Sequence, residues 1–358
     1  MYSEIKSIVV DPRFKVNYAA YYLYGIKSLM KSPSIRFGCI EELEIETDKE
    51  SRIGFAMEIS TTDGVKRLYI DYGDWNEIVE KYYNWADVYA KINVRPEDAS
   101  RKKLVIIGPS FGIRLWNPLK CMVVGIRNFM LIRRACGNGF KRDFKHYIVD
   151  YGFMFLRRRK FHRYYRFSQN EVPGYLFSFS TLWYGKFAHE SINRLRGEFM
   201  REGIRLMPHF DGGFFYNNKA GVVKEFPRYV DYLQDYKDLI SMKRISMRQY
   251  DKCNRKSWFV FNTPSVGGCH GWKLAEFLAC GKAIISSRLL NLMPEGFENG
   301  VHYLEANTKD EMADAIVRLR DDKELVQSLK QNAYNFFSEN LTPEVVMKKI
   351  FSKANLTI

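Results

Sequence analysis

The chain has 358 residues, of which 46% are hydrophobic and 27% charged, and it carries a formal net charge of +15. This length exceeds the size at which one hydrophobic core usually stops growing, so we expect two domains. The six cysteines are scattered without a CxxC pair, and the first residues lack a signal-peptide pattern, which favours free thiols in a reducing cytoplasm. No run of about 18 apolar residues predicts a membrane-spanning helix.

Residues 1–167 alternate short apolar runs with helical stretches. A strand at KSIVV precedes a helix over residues 18–29, and Asp74 is a candidate cap for the helix that begins WNEIVEKYYNWA. The further strands expected in this half are GFAMEIS, RLYIDY, DVYAKI and KLVIIG. Strands that alternate with helices are typical of a largely parallel, doubly wound α/β sheet.

The positive charge is concentrated at the end of this first domain. Residues 131–167 contain eleven Lys and Arg against two Asp, interleaved with Phe and Tyr. Such a segment suits anionic lipid head groups, although nucleic acid binding or a solvated helix face would also account for part of it. The apolar runs CMVVGIRNFMLI and YIVDYGFMFL are short and interrupted by charge, which favours core packing over a membrane surface. The residues expected to contact the membrane are Arg157, Arg158, Arg159, Lys160 and Arg163.

A polar linker, SQNEVPG, begins at residue 168 and opens a second domain that we expect to span residues 168–341. Its pattern restarts with a strand at YLFSFSTLW, a helix at ESINRLRGEFMREG and a strand at IRLMPHF. Residues 342–358 form a last helix that we expect to cross back to the first domain. The caps predicted for later helices are Ser246 with Gln249, Thr308 with Glu311, Asp321 with Glu324, and Thr342 followed by Pro343.

The strongest functional signal lies in residues 258–287, WFVFNTPSVGGCHGWKLAEFLACGKAIISS. The segment predicts a strand, a Gly-rich loop, a helix from Trp272 and a second strand. Open α/β sheets bind ligands at the carboxyl ends of their strands, and a helix amino terminus favours phosphate. Lys273 at that terminus and Glu276 one turn later indicate a nucleotide diphosphate, with the acid accepting ribose hydroxyls. Taken singly, each is also compatible with an ordinary solvated charge on a helix surface.

Residues 259–287 resemble the donor-binding half of GT-B glycosyltransferases, closest to family 4 of that class. Pro264 and Ser265 match the P-S of the family pattern, Gly271 matches its last glycine, and Glu276 matches its second acid. The resemblance implies two Rossmann-like, doubly wound domains that face a central cleft. It also implies transfer of a sugar from a nucleotide diphosphate donor.

The chain departs from the family pattern at several positions. Gly268 replaces the first acid of the family's acid pair, and Lys273 occupies a usually uncharged position. Upstream, Lys186 matches a lysine that grips the diphosphate, whereas Thr181 replaces the accompanying arginine, which Lys273 or Arg244 would compensate. The donor-binding residues that we predict are Lys186, Thr181, Arg244, Pro264, Ser265, Gly267, Gly268, Gly271, Lys273, Leu274 and Glu276.

Candidates for the catalytic residues are fewer. His270 lies in the loop and could contact a phosphate or sugar hydroxyl, or simply pack as a neutral ring. Asp11 follows the first strand and is a candidate base, while Asp71 and Asp74 follow a later one; turn formation and helix capping are alternative roles for all three. With no Asp-x-Asp in a suitable context, we expect a metal-independent reaction without a cofactor, the nucleotide diphosphate sugar being a substrate.

The predicted function is therefore glycosyl transfer to a glycan or lipid-linked acceptor in surface polysaccharide or lipopolysaccharide synthesis. We expect a cytoplasmic protein, peripheral on the anionic inner membrane face, with no nucleic acid partner. The alternatives are a sugar-nucleotide epimerase or hydrolase on the same fold, a nucleic-acid-binding α/β protein, and a donor-binding protein without catalysis.

Overall fold

The structure is a computed structural model that describes residues 3–30, 35–43, 53–136, 144–184, 190–217, 220–241 and 243–357. The chain divides into two compact units. Unit 1 comprises Met1–Tyr165, Asn291–Pro294 and Ser338–Ile358, and unit 2 comprises Arg166–Leu290 and Glu295–Phe337. The divisions fall within a few residues of the predicted boundaries at 167 and 341, whereas the assignment of 291–294 to unit 1 had no signal in the sequence.

The first part of unit 1 contains six strands and ends with three helices among the described residues. Its elements are β1 (Ser3–Val10), α1 (Val16–Leu29), β2 (Ile35–Phe37), β3 (Gly54–Thr61), β4 (Gly64–Asp71), α2 (Glu80–Trp85), β5 (Val88–Lys91), β6 (Leu104–Ile106), α3 (Pro118–Cys136), α4 (Phe144–Arg157) and α5 (Phe161–Tyr164).

Unit 2 begins with a strand and ends with two helices. Its elements are β7 (Tyr175–Thr181), α6 (Glu190–Leu206), β8 (His209–Phe215), α7 (Ala220–Glu225), α8 (Asp231–Asp235), β9 (Ile240–Ser241), α9 (Met247–Lys256), β10 (Val260–Asn262), α10 (Trp272–Ala279), β11 (Ile284–Ser286), β12 (Leu304–Glu305), α11 (Lys309–Asp321) and α12 (Lys323–Phe336). The chain then returns to unit 1 with α13 (Pro343–Lys353) and β13 (Leu356–Thr357).

The sheet of unit 1 has the strand order β13-β1-β3-β4-β5-β6, with β2 also paired to β1. The pairs β1–β13, β1–β2, β4–β5 and β5–β6 are parallel, whereas β3 is antiparallel to both β1 and β4. The α/β class is therefore as predicted, but β3 and β4 form a hairpin instead of a parallel pair. Only two residues separate Thr61 from Gly64, and a parallel pair would need a crossover connection of a dozen residues or more.

The capping residue predicted for α2 was wrong. The helix begins at Glu80 after Val79, and no side chain caps it. The chain from residue 73 to 75 is held elsewhere, because Asn93 Nδ2 donates to the Gly73 carbonyl and Lys91 Nζ donates to the Trp75 carbonyl. These bonds keep Asp74 away from the helix start.

Unit 2 contains the parallel runs β9-β8-β7 and β10-β11-β12. The two runs meet where the Trp258 amide donates to the Tyr175 carbonyl at 2.8 Å and the Phe177 amide donates to Ser257 Oγ at 2.8 Å. The spatial order is thus β9-β8-β7-β10-β11-β12. If β7 is counted as strand 1, this order is 3-2-1-4-5-6, which is that of a dinucleotide-binding Rossmann sheet. Its switch point lies between β7 and β10.

Two element boundaries in unit 2 differ from the prediction. The strand expected at IRLMPHF, residues 204–210, overlaps the last three residues of α6 and only the first two of β8, which begins at His209 and includes Gly212 and Gly213. A Cβ at Gly212 would lie 1.8 Å from the Ser178 carbonyl oxygen, so close approach of the backbones requires glycine within this strand. The cap of α12 is Asp322, which accepts the Leu325 amide, and Asp321 is the last residue of α11.

Most other caps were predicted correctly. Thr308 and Glu311 form a reciprocal capping box, Ser246 Oγ accepts the Gln249 amide, and Thr342 Oγ1 accepts the Val345 amide before α13. The last helix packs on α1, where a Cβ at Gly25 would lie 2.2 Å from the Pro343 carbonyl oxygen. Residues 342–357 therefore belong to unit 1.

Candidate functional site

A cavity of about 510 Å³ opens at the switch point of unit 2, beyond the carboxyl ends of β7 and β10. Ligands of open α/β sheets bind in this crevice. Its lining combines backbone, hydroxyl groups, aromatic rings and two cations. The lining residues are Ser180, Thr181, Leu182, Trp183, Tyr184, Arg196, Thr263, Ser265, Gly271, Trp272 and Lys273.

The loop between β10 and α10 forms one wall of this cavity. It turns through Gly267 and Gly268, both with positive φ (59° and 79°), which an L side chain adopts only with strain. A Cβ at Gly268 would lie 2.9 Å from Leu290 Cδ1, so the Leu290 side chain would have to shift to admit one. The loop ends at Gly271, which is the N-cap of α10 and has no side chain to cap the first amides. The helix amino terminus predicted from the sequence is therefore present beside the cavity.

Lys273 lies in the first turn of α10 and keeps part of its surface exposed. Its Nζ donates to the Phe179 carbonyl at 3.2 Å and lies 5.5 Å from the centre of the Tyr250 ring. Burial and the neighbouring Arg196 lower the pKa of Lys273 to about 7, while Glu276 acts in the opposite direction. The ammonium group thus lies where a bound anion would restore its charge.

Arg196 is the second cation of the cavity, and the sequence analysis missed it. It lies on α6, is only 9% exposed, and donates from Nε to Thr263 Oγ1 at 2.9 Å. Its guanidinium carbon lies 5.9 Å from the centre of the Trp183 ring. Burial lowers the pKa of Arg196 to about 10. No carboxylate of the described residues forms an ion pair with it, so this buried charge lacks the partner that buried cations usually have.

A signal for Arg196 was present in the sequence. Ile192, Asn193, Phe199 and Met200, which lie three or four residues away along α6, are all buried. Residues at these spacings share one face of a helix, so Arg196 occupies the inner stripe of α6. A cation on such a stripe indicates either an ion pair or a ligand.

Glu276 lies one turn after Lys273 on α10 and is partly exposed. It is close enough for its charge to raise the pKa of Tyr250 and to oppose the lowering of the Lys273 pKa. It does not line the 510 Å³ cavity among the described residues. Its contact with ribose stays a prediction.

The remaining donor residues are distributed around the same end of the sheet. Thr181, Ser265 and Gly271 line the main cavity, whereas Pro264, Gly267 and Gly268 line a neighbouring one of about 280 Å³. This smaller cavity is completed by Ser191, Ile192, Leu195, Ser287, Arg288, Leu290 and Asn307.

Four other residues predicted for the site are not among the described residues that line the main cavity. Leu274 and His270 are buried, and neither lines the main cavity in the described part of the chain. Arg244 is exposed in the segment between β9 and α9. Lys186 lies outside the described residues.

In unit 1 the structure favours a structural role for Asp11 over that of a base. The carboxylate has no exposed surface, and both of its oxygens accept hydrogen bonds from Arg13, at 2.9 Å and 2.6 Å. The Ile40 amide donates to Oδ2 at 2.8 Å. A carboxylate held by these donors ties β1 to the following loop and has no open approach for a substrate hydroxyl.

Asp71 is similarly enclosed. Its Oδ2 accepts from Lys91 Nζ at 2.7 Å and from the Tyr89 hydroxyl at 2.5 Å, and all three side chains are buried. Burial and the Asp71 charge raise the pKa of Tyr89. The group is an internal ion pair at the carboxyl ends of β4 and β5.

The basic segment is only partly exposed. Arg157, Lys160 and Arg163 are exposed, whereas Arg158 and Arg159 are half-buried beside α5. The Arg159 carbonyl accepts the Arg114 amide at 2.7 Å, which fixes this stretch of chain to the body of unit 1. None of the described helices combines the length and apolar character needed to cross a bilayer.

Residues 214–352 match a protein family described as glycosyl transferase-like. Among solved structures, the chain is similar to Anabaena HepE in complex with UDP and glucose, at 15% identity over 77% of this chain, with a TM-score of 0.42. It spans 65% of that protein, less than two thirds of its length. A glycosyltransferase from Rickettsia africae is similar at 12% identity over 80% of this chain and 69% of that one, with a TM-score of 0.43.

Sucrose-phosphate synthase from Thermosynechococcus elongatus is similar at 12% identity over 75% of this chain and 58% of that one, with a TM-score of 0.40. A comparison with curated proteins found no match. The family match spans residues 214–352 and so includes the loop and helix that carry the sequence motif. The resemblance predicted from that motif is confirmed for residues 214–352, which match the glycosyl transferase-like family.

Proposed function

We propose that the protein transfers a sugar from a nucleotide diphosphate sugar, whose diphosphate binds between Arg196 and Lys273. The observation that carries this proposal is the pair of neighbouring cations at the switch point. Arg196 is almost fully buried without a carboxylate partner among the described residues, and its charge lowers the pKa of Lys273. Two cations that repel one another in a cavity are stabilised together by one anion.

The cavity has the size and the groups that such a donor requires. A volume of about 510 Å³ lies within the roughly 300–1,000 Å³ typical of small-molecule sites. Trp183 and Trp272 supply aromatic surface, and the amino terminus of α10 supplies a positive dipole. Backbone of the glycine loop approaches from the side of β10.

Fixed cations also suit the chemistry of transfer. The bond between the sugar anomeric carbon and the diphosphate oxygen breaks, a bond to the acceptor oxygen forms, and the acceptor proton leaves to a base or to the departing phosphate. Negative charge grows on the departing oxygen, where preorganised donors commonly contribute about 3–4 kcal/mol. In this proposal Arg196 and Lys273 stabilise that charge in a metal-independent reaction.

The acceptor that we propose is a glycan or a lipid-linked precursor at an anionic membrane, as in surface polysaccharide or lipopolysaccharide synthesis. Exposed Arg157, Lys160 and Arg163 support this setting, because each basic side chain near such a surface contributes about 1 kcal/mol. The proposed location is the cytoplasmic membrane face.

A second candidate function is favoured by Gly268, which replaces an acid of the family pattern and has a positive φ (79°) that other residues adopt only with strain. An enzyme lacking that acid could hydrolyse or epimerise the donor instead of transferring its sugar. Donor turnover that is unaffected by any added glycan or lipid-linked acceptor would favour this alternative.

Thermal unfolding tests donor binding directly. We would measure the melting temperature with UDP, GDP, ADP, CDP and dTDP, and with the corresponding monophosphates as controls. A ligand present at 100 times its Kd stabilises by about 2.7 kcal/mol, so one diphosphate should raise Tm by several degrees and its monophosphate by less. Unchanged Tm with every diphosphate, together with tight and salt-sensitive binding of RNA, would refute the proposal in favour of a nucleic-acid-binding protein.

A further inference from the structure

Helix α3 exposes a stripe of apolar side chains along one side. Leu119, Met122, Val123, Ile126 and Met130 are all exposed, Leu119 by 67% and Ile126 by 52%. At about 100° per residue these five positions fall within an arc of about 100° on one side of the helix. A helix of a globular protein normally presents such a stripe to the core.

The opposite side of α3 is already packed, so the exposed stripe is not the inner face of the helix. Cys121, Gly125, Asn128 and Ile132 are buried on that side. Cys121 Sγ contacts the Tyr151 carbonyl at 3.4 Å and Asn128 Nδ2 donates to the Tyr151 hydroxyl at 3.1 Å. Contacts with α4 therefore fix which way α3 faces.

Helix α4 adds to the exposed apolar surface. Leu156 is 77% exposed, and Val149 and Phe153 are exposed as well. The guanidinium carbon of Arg157 lies 3.9 Å from the centre of the Phe153 ring, so a cation covers part of this surface. We call the α3 stripe, Leu119, Met122, Val123, Ile126 and Met130, the outer apolar face of unit 1.

The charged residues of α3 all have one sign. Helix α3 contains no acidic residue, and its four basic residues, Lys120, Arg127, Arg133 and Arg134, are all exposed. Apolar side chains bordered by cations are typical of helices that lie in the interface of an anionic bilayer. A second copy of the chain is a poorer partner, because a symmetric contact would bring the two sets of cations together.

We propose that the outer apolar face inserts into the head-group region of an anionic phospholipid bilayer, with the basic residues of α3 against the lipid phosphates. This inference goes beyond the proposed reaction, because the insertion needs neither donor nor acceptor. It also differs from a purely electrostatic patch, because apolar insertion resists salt. In this proposal α3 contributes more to the membrane contact than the basic run at residues 157–160 does.

The test is co-sedimentation of the full chain with vesicles of phosphatidylcholine alone or mixed with phosphatidylglycerol. We expect binding to the mixed vesicles that weakens but persists when NaCl is raised from about 0.1 to 0.5 M, since added salt screens only the charges. Ile126→Glu combined with Met122→Glu should weaken binding at least about tenfold, a change of about 1.4 kcal/mol. Ile204→Glu is the matched control, because Ile204 is 51% exposed on α6 in unit 2.

A second variant reports insertion directly. Met122→Trp should be quenched by brominated lipid, whereas Ile204→Trp should not, after subtraction of the wild-type signal. Equal vesicle affinity of wild type and the double Glu variant, or binding lost completely in 0.5 M NaCl, would overturn the proposal. So would a dimer in sedimentation velocity that the double variant abolishes while vesicle binding stays absent.

Donor binding is measured on the same variants by the nucleotide-induced rise in Tm. That rise should be unchanged by the substitutions on α3. If nucleotides raise Tm but the protein does not bind vesicles, this inference alone is refuted. If the protein binds vesicles but no nucleotide raises Tm, the proposed reaction alone is refuted.

Discussion

Arg196→Met removes the guanidinium from the cavity while keeping an unbranched apolar stem of similar length. In the free protein the substitution removes a desolvated charge and one hydrogen bond to Thr263, two effects of opposite sign. We therefore expect the free energy of unfolding to stay within about 1 kcal/mol of wild type or to rise.

The effect on ligand binding should be much larger. Hydrogen bonds to charged groups contribute about 1.5–3 kcal/mol each, so losing the contact with a diphosphate should raise Kd roughly 10- to 150-fold. The Lys273 pKa should rise at the same time, since Arg196 lowers it in the wild-type protein.

Isothermal titration calorimetry with UDP and with inorganic pyrophosphate measures this change. The control is Arg194→Met, because Arg194 lies on the same helix but is exposed and pairs with Glu198 at 3.0 Å. Exposed pairs of this kind contribute about 0–1 kcal/mol, and we expect neither Kd nor stability to change appreciably. Equal diphosphate affinity in Arg196→Met and Arg194→Met would show that the buried cation does not bind the donor.

Three further predictions concern both units. The pKa of Lys273 is about 7 in the free protein and a bound diphosphate favours the charged form, so diphosphate affinity should fall as pH rises from 6 to 9, by at most about tenfold per unit. Lys273→Arg should flatten this profile, and a pH-independent Kd in the wild type would contradict the assignment. Glu276→Ala should abolish sugar transfer in a radiolabelled-donor assay without lowering Tm, whereas near-normal turnover would reject its role toward the donor. Lys91→Met leaves the Asp71 carboxylate buried without its cationic partner and should cost about 3–5 kcal/mol in urea unfolding. Adding Asp71→Asn should recover part of that loss, and an additive double variant would argue against the pairing.

The loop and helix of the donor cavity were predictable because their signals are local. Glycines at 267, 268 and 271 mark a turn and a helix start, and both follow from backbone conformation alone. Arg196 was harder to find because its place in the cavity depends on a distant part of the chain. Thr263, which accepts its hydrogen bond, follows β10 more than sixty residues later. A cation on the inner face of a helix is informative only once the helix face is known.

The errors in the fold have a similar origin. The strand β8 was predicted too early, over IRLMPHF, and its continuation through Gly212 and Gly213 was not predicted because glycines are typical of turns. The Ser178 backbone nevertheless requires glycine at that point of the strand. The sequence predicted a largely parallel sheet because strands and helices were expected to alternate along this part of the chain. The connection of only two residues, 62 and 63, between β3 and β4 makes these two strands an antiparallel hairpin instead. The exposed stripe of α3 has the same 3.6-residue period as a core-facing stripe, and only the burial of Cys121 and Asn128 shows which side faces inwards.

The return of the chain to unit 1 sets an order for its synthesis. Residues 338–357 leave the ribosome after all of unit 2, yet α13 packs against α1 at Gly25 and β13 pairs with β1 at Ser3. Unit 1, most of which is translated first, therefore lacks α13 against α1 and β13 against β1 until residues 338–357 are made. Unit 2 already has all of its described strands at that stage. A nascent chain stalled near residue 337 would present a finished Rossmann sheet attached to an incomplete partner, and that intermediate is the one that chaperones would be expected to recognise.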